Sequence, residues 1–391
     1  MAVTVGQVEQ LIEKIAPRSW AEDWDNPGLL VGTSAQKVDT ILLSLDATME
    51  VVEEAVSKKA GLIVTHHPIL LKPLKSLRMD NQAALLPLTI FKQGISLYSA
   101  HTNLDQSELS SSLTMAKILE LQEVKFLETT ASAKLFKIVT FVPEDNVEKV
   151  RQALAAEGVG TAITQGEHSA FYSDCFYQSK GEGMFKALSG SDPVIGNIGE
   201  LTRVPEIRLE SVVEERFLAR AIKALHKSHP YEEPAYDVIP LRNPGKSRGY
   251  GAIGYLKEPC SLGELWPSFL AALNNHPVIK AFPAEYNLSA VRLAGDLKKK
   301  IRKVAIANGS GSSFVSKAIL NGADFYITGD LGYHGVLDSL DAGMAIGELG
   351  HFFSEIPMIQ SLFTYLSQDK TMKGAKIIIS ESTKNPWHIG N

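Results

Sequence analysis

Two adjacent imidazoles, His66 and His67, follow the apolar run Gly61-Leu62-Ile63-Val64-Thr65 and precede Pro68. A short apolar run rich in β-branched residues reads as a buried strand, so the pair stands where that strand ends and the chain turns. Neighbouring side chains on an extended chain point to opposite sides, which would let each ring grip its own metal ion. Two satisfied histidines capping a strand are the plain alternative. Two further runs bear on the choice. Residues 95–100 lead into His101-Thr102-Asn103-Leu104-Asp105, and residues 344–348 lead through Leu349-Gly350 to His351, with Glu355 four residues on. Three strand-like runs thus deliver imidazoles or carboxylates at one end of an expected sheet, where open α/β sheets place their ligands. Imidazole and carboxylate without sulfur suit Zn, Mn, Fe, Co or Ni.

The elements that must position these residues can be read from periodicity. Val5, Val8, Leu11, Ile12 and Ile15 recur at helical spacing and Pro17 ends the run. A strand over 40–45, a turn at Asp46, a helix over 51–59 and the strand before His66 make a β-α-β unit. The C-terminal region repeats the scheme: a strand over 303–307, a Gly/Ser turn, a helix over 314–320, a strand over 324–328, a helix over 333–341, then the strand before His351. The two stretches read as related halves, with Thr328-Gly329-Asp330 in the place of Thr65-His66-His67 and His351 in that of His101. Metals would lie in the cleft between the halves. Residues 134–241 differ in character: a strand over 136–143, a helix over 147–157, a strand over 208–213 and a helix over 219–226 fit a β-α-β-β-α-β ferredoxin-like order. The expected fold is α/β, with two related α/β halves (1–133 and 242–391) forming a metal-binding core and an inserted α+β domain (134–241).

Composition narrows the function classes. A chain of 391 residues, 45% of them hydrophobic, has ample core. With 21% charged residues and a net charge of −5, its field favours neither a polyanion nor an anionic membrane surface, so nucleic acid is not an expected partner. Cys175 and Cys260 alone cannot build a cysteine zinc site or a disulfide framework. The N-terminal residues lack the features of a signal peptide, and no apolar run approaches the roughly 20 residues of a membrane span. A cytoplasmic location is expected.

The segment from Glu22 through Asp25-Asn26-Pro27-Gly28 to Gly32, with Thr65-His66-His67-Pro68, His101-Thr102-Asn103-Leu104-Asp105, Thr328-Gly329-Asp330 and Gly350-His351 through Glu355, resembles the Nif-three-like dinuclear metal centre family, whose members are also called GTP cyclohydrolase type 2 homologues. The resemblance runs over nearly the whole chain. It implies that His66, His67, Asp105, His351 and Glu355 bind two divalent metals, and that His101 and His334 line the same cavity behind them or toward substrate. It also implies a PII/CutA-like nature for the insert, through Phe185 to Gly199 and His229 to Asp237, with a role in oligomerisation or as a regulatory lid. A homohexamer built as a trimer of dimers is the assembly it suggests. The chain departs from the family pattern after Asp105, at Gln106-Ser107-Glu108-Leu109, and before His351, at Gly347-Glu348-Leu349-Gly350.

The chemistry implied is metal-dependent hydrolysis of a nucleotide or phosphorylated small molecule, either at C8 of a guanine ring or at a phosphoester. A metal-binding regulatory or adaptor protein without turnover is the competing class. Asn308-Gly309-Ser310-Gly311-Ser312-Ser313 reads either as a phosphate-holding turn or as a plain tight turn. Lys72, Lys75 and Arg78 read either as a phosphate-neutralising cluster or as an exposed basic loop. Asp25 and Asn26 belong either to the metal cleft or to the packing of Trp20 and Trp24.

Overall fold

A computed structural model describes residues 2–161, 172–282, 288 and 291–387. The chain divides into two compact units, Met1–Thr129 with Arg248–Asn391, and Thr130–Ser247.

The first unit is built on two sheets. One has five strands in the order Lys376–Ile379, Thr40–Ser44, Leu62–Thr65, Ser96–Ser99 and Gly28–Val31; the first four are parallel and the last is antiparallel. The other has six, in the order Arg292–Ala294, Ala345–Glu348, Phe325–Asp330, Lys300–Ser310, Ala252–Ser261 and Gln122–Lys125, with a parallel centre formed by its second to fourth members. Parallel strands need helical crossovers that cover both faces, which is why Leu62–Thr65, Ser96–Ser99 and Ala345–Glu348 are buried at every position. Alternate residues of the first sheet serve different cores. Ile41, Leu43, Leu62 and Val64 join Ile306, Phe325 and Ile327 in one cluster that spans both sheets, while Leu42, Ile63 and Leu97 pack against Val51, Val52, Ala55 and Ile90 of the outer helices. Truncating Ile63 to alanine would cost about 2–5 kcal/mol, because neither neighbouring layer can collapse into the gap.

The opening helix, Val5–Ile15, has a reciprocal capping box between Thr4 and Gln7 and buries Val5, Val8, Leu11 and Ile12. The helix Tyr333–Asp341 has the bounds its pattern predicts. Two strands cross between the halves. Gln122–Lys125 pairs with Ala252–Ser261 in the second sheet, and Lys376–Ile379 returns to pair in parallel with Thr40–Ser44 in the first. The strands 40–44, 62–65 and 96–99 are in register at Ser44, Thr65 and Ser99, and those of the second sheet reach Ser310, Asp330 and Glu348. The functional loops leave the sheets at these ends.

The second unit carries the β-α-β-β-α-β order: Leu135–Pro143, Val147–Ala156, Phe176–Lys186, Leu201–Glu214, Glu215–Ser228 and Tyr236–Leu241. Its four strands are antiparallel in the spatial order second, third, first, fourth. Both helices lie on one face, over Ile138, Val142, Ile207 and Leu209. No helix among the described residues is long and apolar enough to cross a membrane.

Candidate metal centre

Four imidazoles of the first unit converge. The ring centroids of His66 and His67 are 4.9 Å apart, His66 and His101 5.0 Å, and His67 and His351 5.4 Å. Nitrogens of His66, His67 and His101 form one set able to hold a cation, and those of His67 and His351 with the Glu355 carboxylate form another. Backbone geometry delivers each group. Gly350 has φ 76° and ψ 154°, a conformation that favours glycine, and it turns the chain into the short helix His351–Glu355. On that helix the i, i+4 spacing brings His351 Nε2 within 3.2 Å of Glu355 Oε2.

The other nitrogen of each ring is held from behind. His66 Nδ1 donates to the Ala100 carbonyl at 2.9 Å, His67 Nδ1 to Asp46 at 2.8 Å, His101 Nδ1 to Asp25 at 2.9 Å and His351 Nδ1 to Asp330 at 2.7 Å. A carbonyl or carboxylate only accepts, so the proton sits on Nδ1 and a neutral ring turns its Nε2 lone pair inward. Metal-binding histidines are commonly oriented by acceptors of this kind. Asp25 also accepts from the Thr102 amide at 3.1 Å and the Thr102 hydroxyl at 2.5 Å, and its side chain is fully buried. The loop around Trp24 is thereby tied to the imidazole cluster.

Electrostatics separates the adjacent histidines. Burial, reinforced by His67 and His101, pushes His66 down to about 3, so it is neutral at ordinary pH. Burial also opposes charge on His67, but hydrogen bonds to Asp46 and Glu355 outweigh it and raise the ring to about 10. His351, bonded to Glu355 and Asp330, is raised to about 9. Glu355 is held far below the carboxylate range despite its burial, by hydrogen bonds from His351 and His67. Burial and the charge of Glu355 hold Asp105 well above that range.

These residues fit divalent cations. His66 Nε2 is a buried polar atom with no hydrogen-bond partner among the described residues, Glu355 Oε2 is buried between His67 Nε2 at 3.1 Å and His351 Nε2 at 3.2 Å, and Asp105 Oδ2 stands 3.7 Å from His66 Nε2. A cation beside them would use the His66 lone pair, offset the cost of ionising Asp105 and take the place of the imidazolium protons around Glu355.

All five residues of the expected ligand set therefore lie together. His101, expected only behind or beside the ligands, stands in a ligand-competent group. His334 does not join them: it is exposed on the helix Tyr333–Asp341, packed edge-on against Tyr333, outside the cavity lining. Arg78 pairs with Asp80, Lys72 and Lys75 are exposed, and none of the three lines the cavity. In the second unit, His229 bonds the Phe141 carbonyl and the Tyr231 amide, and His226 packs against Tyr236. His168 falls outside the described residues. The orienting role of Asp46 and Asp330 was not anticipated. Each precedes its histidine by 21 residues, one strand-helix-strand step, and that matched spacing is a signal the sequence does carry.

A cavity of about 550 Å³ opens on this cluster. Trp24, Tyr250 and Phe314 give it aromatic walls, Asn308, Ser310 and Ser313 of the Gly/Ser turn form another side, and no lysine or arginine lines it among the described residues. Gly309 has φ +60°, and a Cβ there would collide with Glu355 Oε1.

Comparison with known proteins places the chain in a family. Residues 3–386 match the model of the Duf34/NIF3 (NGG1p interacting factor 3) family. The chain is 37% identical over 357 residues to a Halalkalibacterium halodurans protein named GTP cyclohydrolase 1 type 2 homolog, covering 91% of each. It is 34% identical over 383 residues to the protein of the same name from Bacillus subtilis, covering 97% of each. The crystal structure of a Bacillus cereus protein related to NIF3 superposes with a TM-score of 0.84 at 32% identity over the full length of both chains. Family-wide sequence, fold and a shared full-length architecture lead to one conclusion: the chain belongs to the Duf34/NIF3 family.

Proposed function

We propose that the protein is a dinuclear divalent-metal protein that hydrolyses a nucleotide or another phosphorylated small molecule. The observation that carries this reading is the set of four Nδ1-anchored imidazoles gathered with Glu355 and Asp105, of which His67, His101, His351, Glu355 and Asp105 line one aromatic-walled cavity. His66, His101 and Asp105 would hold one ion, and His67, His351 and Glu355 the other. Divalent ions so held polarise a substrate oxygen and lower the pKa of water. The protein groups do the rest. Trp24, Tyr250 and Phe314 offer faces on which a purine can stack, and the 308–313 turn offers hydroxyls and amides to a phosphate. With no lysine or arginine in the described lining, the positive groups open to that phosphate would be the histidines with the ions they hold, and the backbone amides.

The names of the relatives support a nucleotide as substrate, with guanine as the ring to test first. The test is a panel of nucleotides and phosphoesters offered to metal-reconstituted protein. Turnover should require the metal and vanish in Asp105→Ala. Metal binding without turnover on that panel would make the protein a metal-responsive regulator instead. The same reading includes a homohexamer and a PII/CutA-like role in assembly for residues 134–241; a monomer in light scattering would refute that part.

A further inference from the structure

The second unit has a cavity of its own, about 1060 Å³, on the sheet face that carries no helix. The register explains why there is room. Gly181 lies opposite Glu206 and Gly183 lies opposite Val204, so two glycines stand on the face onto which the Glu206 side chain projects. A Cβ at Gly183 would collide with the Glu206 carboxylate. Glu206 is only 8% exposed. Its Oε1 accepts from the Tyr231 hydroxyl at 2.7 Å, and its Oε2 takes no hydrogen bond from any described residue.

Two of the cations nearby are already engaged. Arg208 is bonded to Glu210 at 2.8 Å, and Lys180 is paired with Glu144 at 3.0 Å. Among the anions, Glu182 is matched by Arg203. Lys186 remains as a positive group in the lining, against Glu206, Asp192, Glu232 and Glu233. The apolar part of the wall includes three aromatic rings, Phe141, Phe185 and Tyr231, beside aliphatic Met184, Leu188 and Val194; the rings of Phe185 and Tyr231 have centroids 5.8 Å apart. A buried carboxylate with an unused oxygen among aromatic faces is the chemistry that recognises an organic cation. No cluster of three ligating groups able to hold a metal occurs here among the described residues, so an ammonium suits the site better than a metal ion.

We propose that this cavity is a binding site for a small organic amine, with the ammonium on Glu206 and the apolar body against Phe141, Phe185 and Tyr231. The test is calorimetric titration of the full-length protein with 2-phenylethylamine and with its carboxylate counterpart, 3-phenylpropionate. The amine should bind saturably and the acid should not. Glu206→Gln removes the charge, and Gly183→Ala displaces the carboxylate while keeping it; each should weaken amine binding by at least about tenfold. Gly183 does not have a positive φ, so alanine is tolerated by the backbone and decides the matter if Glu206→Gln fails to fold. No saturable amine binding, equal binding of the acid, or unaltered amine affinity in Gly183→Ala would overturn the proposal.

Discussion

Asp25 is the residue at which a packing role and a role in the metal centre can be separated. Its Oδ2 accepts from the Thr102 amide and hydroxyl, and its Oδ1 from His101 Nδ1 and the Asn26 amide at 2.8 Å. Asparagine has nearly the same shape but presents an NH2 group in place of one oxygen. In one orientation that group faces the Thr102 amide; in the other it faces the Asn26 amide and His101 Nδ1. Either way a donor meets a donor. With hydrogen bonds to a charged acceptor contributing about 1.5–3 kcal/mol each, Asp25→Asn should cost roughly 2–4 kcal/mol of metal-free stability, which a domain of ordinary stability survives. Loss of the carboxylate charge behind His101 should also lower metal affinity by about 10–100-fold. Denaturant melting of the metal-free protein measures the first quantity, and competition with a fluorescent chelator for Zn²⁺ or Mn²⁺ measures the second. A variant that melts earlier yet binds metal with parental affinity would show that Asp25 only packs the loop, and would remove His101 from the centre.

Three other perturbations follow from the same geometry. Combining His67→Ala with His351→Ala should strip the group around Glu355 of its nitrogens and lower the metal content found by elemental analysis; unchanged content in a folded protein would refute the ligand set. Gly309→Ala should fold with a penalty of about 1 kcal/mol for its positive φ and, by displacing the Glu355 carboxylate, weaken metal binding about tenfold, whereas parental affinity would show that Glu355 is not a ligand. Burial pushes the Glu54 carboxyl up, but hydrogen bonds from the Glu381 amide, the Ser380 hydroxyl and the Ser382 amide outweigh it and hold the group below its ordinary range. Because the folded value is depressed, this stabilisation is complete above the ordinary glutamate range and is lost as pH falls through the folded value. Glu54→Gln should therefore lower neutral-pH stability by about 1–3 kcal/mol and have little effect in acid, and an equal loss in both conditions would contradict the assignment.

What the sequence reveals of this protein, and what it hides, divides along a physical line. His66, His67, His101 and His351 are legible because each follows an apolar, β-branched run, and a buried parallel strand advertises both itself and its end. The acceptors behind those histidines are not legible one by one. Asp25 lies 76 residues from His101, and the partner of His66 is a backbone carbonyl that no residue type marks. The strand crossings are hidden for a different reason. Gln122-Glu123-Val124-Lys125 is exposed at all four positions, so its strand form comes from the open edge of Ala252–Ser261 and not from its own pattern. The strand Lys376–Ile379 shows its apolar run plainly, but its pairing with Thr40–Ser44 is a matter of topology. That topology also bears on the site. Asp46 leaves the sheet just beyond Thr40–Ser44, so the parallel neighbour at 376–379, anchored through Glu54 to residues 380–382, covers the edge of the strand from which the His67 acceptor projects. A C-terminal segment with no ligand of its own thus belongs to the support of the metal centre, through backbone pairing that composition cannot show.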